Sequence, residues 1–358
     1  MVGISGLNME DINVAFHLEG LVLPGGWTVG SLNAKAKDAR FSVSYPVFNE
    51  QGRQGFMKVL DLADVFGDID DLNQALGDYI AERDLLMLCG EAALSRVVVA
   101  VAHGKVTLPD FMPTLSTAHY IIFEHADRGD LNDALSDAGL DDVAVRLDLI
   151  HDFAVGIRQL HKQEIAHQDI KPANALVFAR PEGGNPKGKV ADLGRAHKSG
   201  IPTSHSGAVV PGDRSFAPPE LLYGYQHPDI ATRRFGGDVY QLGSLICYAF
   251  SGVTMNALLS DHLATSHHWD SFGDGYPQAL PYLEGAFAAA LTDLEETLPR
   301  SVAPEVLRLV TYLCEPDLEQ RGHPRSRGAY GSRFALERVV GELNLAAVRA
   351  RSRAGLHS

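Results

Sequence analysis

Eight consecutive residues, His167-Gln-Asp-Ile-Lys-Pro-Ala-Asn174, set a carboxylate, an amine and a side-chain amide at positions 169, 171 and 174. Pro172 argues against a regular helix there, because its ring obstructs the preceding turn and it has no N–H to donate. An Asp held in such a segment can accept or orient the proton of a hydroxyl nucleophile. A Lys two residues on can neutralise a phosphoryl group in flight, and an Asn oxygen suits a hard cation. Those are three parts of phosphoryl transfer. Further on, in Lys189-Val-Ala-Asp-Leu-Gly194, Asp192 ends an apolar run just before a glycine that lets the chain turn. Its carboxylate is thereby exposed and able to hold a magnesium ion that bridges phosphates. A lone His-x-Asp is more often a structural pair than a catalytic one, so the weight rests on the ordered set.

Elements must bring these groups together. Trp27 to Val59 alternates apolar and polar residues in short runs broken at Gly52, the pattern of antiparallel strands and a hairpin. From Leu72 to Cys89 apolar residues recur at helical spacing with acids between them. Val97 to Val101 and His119 to Phe123 read as two more strands, after which Leu131 to Leu135 and Val143 to His161 turn helical. Ala175 to Phe178 and Lys189 to Asp192 flank the turn cluster Pro181-Glu-Gly-Gly-Asn-Pro-Lys-Gly188 and read as a second small hairpin. Asp192 to Glu220 has no sustained periodicity and is expected to be a long functional loop. Val239 to Met255 is read as a buried core helix, since Gln241, Gly243 and Gly252 interrupt it and it barely reaches spanning length. Strands first and helices afterwards give an α+β chain with a small sheet-rich part and a larger helical one.

Composition sets outer bounds. With 358 residues, 45% hydrophobic and 21% charged, the chain can bury a sizeable core. Its formal charge of −14 disfavours nucleic acid and anionic membranes as broad partners, so an anionic ligand needs a local site. The first 20 residues lack the build of a secretory signal. Cys89, Cys247 and Cys314 are unpatterned, which fits a reducing, cytoplasmic setting and inert core thiols.

The residues around Asp169 and Asp192 resemble the catalytic loop and metal motif of the eukaryotic-like protein kinase superfamily, serine/threonine type. The resemblance implies a bilobal protein-kinase-like fold: an N-terminal extension at 1–26, a kinase domain at 27–324 and a helical, arginine-containing tail at 325–358. Within the domain it implies a small antiparallel-sheet N-lobe over about 27–124 and a larger helical C-lobe over about 127–324, with ATP and Mg2+ as cofactors and a protein as substrate. By the resemblance, Lys58 pairs with the α and β phosphates and Glu82 holds it, the alternative for Lys58 being an edge-strand lysine. Phe123, Glu124 and Ala126 form the adenine hinge, and Asp130, or else Asp127, meets the ribose. Asp169 and Lys171 act on the acceptor hydroxyl and γ phosphate, while Asn174 and Asp192 hold the metal. His167 packs structurally, Asp238 braces the catalytic loop, and Glu220 in Phe-Ala-Pro-Pro-Glu pairs with Arg321.

Three departures stand out. The phosphate loop retains only Gly30, leaving Lys35, Lys37 and Arg40 as substitutes for backbone amides. Gln168 replaces an arginine that binds a phosphorylated activation loop, so phosphorylation at Ser199, Thr203, Ser204, Ser206 or Ser215 is expected to matter less. Asp213 replaces a threonine. These departures keep two alternatives open: a pseudokinase or nucleotide-binding scaffold, and a small-molecule kinase, whose members lack the counterparts of Glu220, Asp238 and Arg321. The arginines after residue 320 are expected to form a solvated helix face or a docking surface.

Overall fold

The structure, a computed structural model, describes residues 10, 13–33, 42–65, 68–109, 111, 115–136, 142–180, 183–327 and 333–355. Lys35, Lys37 and Arg40 lie outside them. The described residues divide into two compact units, one within Met1–Ala93 and Val98–His125, the other within Leu94–Val97 and Ala126–Ser358.

Alternating side chains build the sheet of the first unit. Strands β1 (Val22–Leu23), β2 (Trp27–Val29), β3 (Ser42–Phe48), β4 (Gln54–Leu60), β5 (Ala100–Thr107) and β6 (Thr117–Glu124) form an antiparallel sheet in the order β1-β2-β3-β4-β6-β5. Val43, Tyr45, Val47, Met57, Val59, Tyr120 and Ile122 point into one apolar core. Helix α1 (Ile69–Glu91) starts at Asp68, whose carboxylate caps the N–H groups of Asp70 and Asp71. Its buried face carries Ala81, Glu82, Leu85, Leu86 and Cys89 at helical spacing.

Two expectations need correction here. The strand read at Val97 to Val101 begins at Ala100 and runs to Thr107. Val97 and Val98 are buried, yet Val97 makes only an isolated bridge to Val190, whereas the edge strand proper alternates and is less apolar. The segment set apart as an N-terminal extension is part of the sheet core over its described residues. Val14, Ala15 and Leu18 are buried there, and the Tyr45 hydroxyl donates to the Ala15 carbonyl at 2.7 Å.

The second unit holds α2 (Leu131–Ser136), α3 (Val143–Lys162), α4 (Pro219–Leu222), α5 (Ile230–Ser251), α6 (Met255–His262), α7 (Tyr276–Thr297), α8 (Ala303–Leu313), α9 (Pro324–Arg327) and α10 (Glu337–Gly355). Two strand pairs join them, β7 (Ile165–Ala166) with β10 (His197–Lys198), and β8 (Ala175–Phe178) with β9 (Lys187–Val190). Leu147, Ile150, Ala154 and Ile157 give α3 a continuous apolar face. The core helix α5 starts earlier than its apolar run, at the Asp229 cap, and stops at Gly252 in the left-handed region; Met255 belongs to α6. No single helix among the described residues is long and apolar enough to cross a membrane; α5 and α6 pass that test only as a pair bent by 88°.

The tail is an integral helix. α10 packs on α3 with Val339, Leu343, Ala346 and Ala347 buried. Three of its arginines find carboxylates on the same unit: Arg351 meets Asp148, while Arg349 and Arg353 meet Glu305.

Candidate active site

The turn structure of the second unit assembles the chemistry-bearing loop. His167 to Asn174 lies between β7 and β8, and Pro172–Asn174 closes as a single 3₁₀ turn. The β8–β9 register pairs Ala175 with Val190, and the Ala191 N–H donates to the Asn174 carbonyl at 2.9 Å. Asp192 therefore begins beside the end of the catalytic loop.

Asp169 is buried and gripped from three sides. Its Oδ1 accepts the Asp213 N–H at 2.8 Å, its Oδ2 accepts from Asn174 Nδ2 at 3.1 Å, and Lys171 Nζ lies 3.0 Å from Oδ2. The Asn174 amide also donates to the Asp169 carbonyl at 2.8 Å, which turns its oxygen away from that carboxyl group. Asp213 approaches Lys171 at 3.8 Å, so two carboxylates share one ammonium. Asp192 is exposed and adopts φ +62°, an unfavourable conformation for a residue with a Cβ. Such strain in a single residue at a site is commonly maintained by its surroundings.

The bracing of this loop comes from α5. Asp238, fully buried, accepts the N–H groups of His167 and Gln168 at 2.7 Å each, and His161 Nε2 at 2.8 Å. His167 donates from Nε2 to the Ala191 carbonyl at 2.9 Å and accepts the Asp169 N–H at Nδ1, so it is a satisfied core histidine. Farther off, Arg321 and Glu220 form a bidentate pair at 2.6 and 2.7 Å, with Arg321 0% and Glu220 2% exposed. Burial works against the Arg321 charge, but the Glu220 carboxylate and its hydrogen bonds prevail and hold the guanidinium above its usual range.

In the first unit, Lys58 Nζ lies 3.1 Å from both Glu82 oxygens. Strand β4 has β3 on one side and β6 on the other, which removes the edge-strand alternative for this lysine. Phe123 is buried near the end of β6, and the Glu124 N–H donates to the Val99 carbonyl. Asp130 caps α2 by accepting the Asn132 and Asp133 N–H groups at 2.8 and 3.0 Å, while Asp127 accepts the Ala179 N–H. Ala126 accepts from the Gly129 N–H at 3.2 Å through its carbonyl.

Gly30 differs from its expected use. Its N–H donates to the Pro46 carbonyl at 2.8 Å, and a Cβ there would come within 3.0–3.1 Å of Pro46. The glycine serves close approach to β3, so its amide is not offered to a phosphate. The cysteines are buried and form no disulfide with one another, and burial pushes the Cys247 thiol up to about 12.

No local pattern in the chain signals the polar cluster around Gln168. Its side chain donates from Nε2 to the Arg195 carbonyl at 2.7 Å, and Gln241 bonds its carbonyl and the Ile170 N–H at 3.0 Å each. Gly212 lies in Pro211-Gly212-Asp213, a turn signal that could have pointed to it.

A family model described as the protein kinase domain matches residues 89–326, about two thirds of the chain. The span contains Asp169, Asn174, Asp192, Glu220, Asp238 and Arg321, and starts after Lys58 and Glu82. The chain is 30% identical over 140 residues to the serine/threonine-protein kinase SBK1 of Danio rerio, covering 38% of this chain and 34% of that protein. It is 24% identical over 280 residues to the MAP kinase kinase kinase wis4 of Schizosaccharomyces pombe, 72% of this chain and 19% of the other. It is 29% identical over 226 residues to the dual serine/threonine and tyrosine protein kinase of Homo sapiens, 61% of this chain and 22% of the other. The matched regions span about a third or less of these relatives' own lengths. A sheet-rich unit, a helical unit with its catalytic-type loop braced on a buried aspartate, and a family match over most of that second unit agree: the chain belongs to the protein kinase family.

Proposed function

We propose that the chain is an ATP- and magnesium-dependent protein kinase that transfers the γ-phosphoryl group to serine or threonine hydroxyls of protein substrates. The observation that carries this reading is the three-sided grip on Asp169, which fixes a carboxylate where an incoming hydroxyl needs orienting. Asp169 would hold that hydroxyl and receive its proton as the oxygen bonds to phosphorus and the bond to the ADP oxygen breaks. Lys171 would balance charge on the transferred group, and Lys58, steadied by Glu82, would do so for the α and β phosphates.

The residues fit magnesium, which retains waters and takes one or two protein oxygens besides phosphate. Asn174 presents its amide oxygen because its NH₂ is spent on Asp169, and Asp192 presents an exposed carboxylate. When bound, the ion would neutralise phosphate charge. The serine/threonine assignment is supported by Lys171 two residues after Asp169 and by the names of the relatives.

A nucleotide-binding scaffold is the second reading, favoured by Gly30, whose amide already serves Pro46. Purified wild type, Asp169→Asn and Asp192→Asn, incubated with labelled ATP, magnesium and a generic basic protein, separate the two. Label transfer by wild type alone supports the kinase. Transfer by neither wild type nor variants, with nucleotide still bound, supports the scaffold. Retained transfer in the purified variants refutes the residue roles.

A further inference from the structure

We infer that Arg234 is a positioning residue for the catalytic loop, acting through Gln168, a proposal that rests on reading Asp169 as the group at which transfer occurs. Arg234 sits in the first turns of α5 and is 4% exposed. Its Nη1 donates to Gln168 Oε1 and its Nη2 to the Ser206 carbonyl, so one guanidinium bridges the catalytic loop and the 3₁₀ turn Ser204–Gly207. Among the described residues no carboxylate lies within ion-pair distance of it. A buried cation with no direct ion-pair partner is costly. Burial and the neighbouring Arg233 lower its pKa to about 10, with the more distant Asp238 carboxylate offsetting part of this. A residue kept under such conditions is kept for what its geometry does.

That geometry is the planar fork. Two donors held in one plane reach two acceptors on separate segments, which a lysine's single ammonium on a flexible stem does not reproduce. What the fork holds is itself strained. Gln168 adopts φ +66° immediately before Asp169. Each of its polar groups is engaged: N–H to Asp238, carbonyl to Gln241, Nε2 to the Arg195 carbonyl, and Oε1 to Arg234. A strained residue persists only while its surroundings over-determine it. Arg234 supplies the sole side-chain bond among the described residues that ties Gln168 to both α5 and Ser206. Gln168 in turn reaches Arg195, three residues past Asp192, so the same bond steadies the segment after the proposed metal ligand.

No serine hydroxyl takes part in this link; Ser206 contributes its carbonyl. The brace therefore closes without a phosphate on the segment.

The test compares wild type, Arg234→Lys, Gln168→Met, their double variant and Ser199→Ala in the full chain. For Arg234→Lys, phosphoryl transfer should fall about tenfold or more in kcat, with the Kd for magnesium ATP within about twofold of wild type. Gln168→Met should fall at least as far, since it also loses the bond to the Arg195 carbonyl, and the double variant no further than Gln168→Met, because both break the bond between Arg234 and Gln168. Ser199→Ala, exposed and outside the turn that Arg234 holds, should keep wild-type turnover. Amide hydrogen exchange, which needs no activity, should quicken in residues 167–170 and 204–207 of Arg234→Lys but not in α3. Unchanged exchange in those segments, or additive losses in the double variant, overturns the role of Arg234. An inactive wild type with the expected exchange pattern sinks the kinase reading while leaving the brace intact. Should Arg234→Lys not fold, Gln168→Met carries the same exchange comparison.

Discussion

Gly212 has no room for a Cβ. A methyl there would stand 2.3 Å from the Gln168 carbonyl oxygen, 2.7 Å from Asp169 Oδ1 and 3.0 Å from Asp169 Cα. Carbon and oxygen in close contact sit about 3.3 Å apart, so the methyl overlaps the carbonyl by about 1 Å. The obstacle does not yield easily, since that oxygen is backbone and also accepts Gln241 Nε2 at 3.0 Å. Relief has to come from moving the loop that carries Asp169. Overpacking of this kind costs about 1–3 kcal/mol, and a reacting group displaced by about 1 Å loses about 100-fold in rate. Gly212→Ala is therefore expected to fold, to lose about 1–3 kcal/mol in urea unfolding, and to transfer phosphate about 100-fold more slowly to a generic basic protein. Gly207→Ala is the matched control, because nothing lies within 4 Å of its Cβ. If Gly212→Ala matched that control in both stability and rate, the packing argument would be wrong.

Arg321→Met should strand Glu220 as a buried, unpaired carboxylate and cost about 3–5 kcal/mol of stability, part of it recovered in Glu220→Gln/Arg321→Met; urea unfolding checks both, and a loss under about 1 kcal/mol contradicts it. Glu82→Gln should raise the KM for ATP and leave Tm nearly unchanged, because Lys58 loses the anion that orients it but keeps its strand; an unchanged KM, or a Tm drop with no change in KM, contradicts this. His119 is held below the ordinary imidazole range, chiefly by burial and then by Lys105 and Arg83. The unfolded chain thus binds the proton more readily, so stability should fall as pH drops below about 6.5. His119→Gln should show a smaller loss between about pH 7.5 and 5.5 in denaturant titrations, and an equal loss would count against this residue.

The parts of the fold that local spacing encodes were readable from the chain. β3 and β4 announce themselves by alternation, α1 and α3 by helical recurrence, and the His167–Asn174 loop by crowding its polar groups into eight residues. The Lys58–Glu82 pair was anticipated through the resemblance to the protein kinases, with which its strand, loop and helix separation agrees. What escaped notice depends on distant partners. Nothing near Arg234 hints that it will meet Gln168, and nothing near Gly30 hints that β3 will take its amide. The β5 start was misplaced because Val97 and Val98 owe their burial to packing outside the edge strand. The helix of the tail was legible, but its seat was not. Its arginines dominate the eye, whereas the apolar stripe of Val339, Leu343 and Ala347 is what seats it on α3.

That seat bears on how such a domain can be inherited. The family match ends at residue 326, short of the helix Glu337–Gly355. A recombination event that carried only the matched core into a new gene would deliver an oily seam along α3 and invite clumping. Core and helix are therefore expected to be inherited as one cassette, and a lineage without the helix to carry polar residues along that seam.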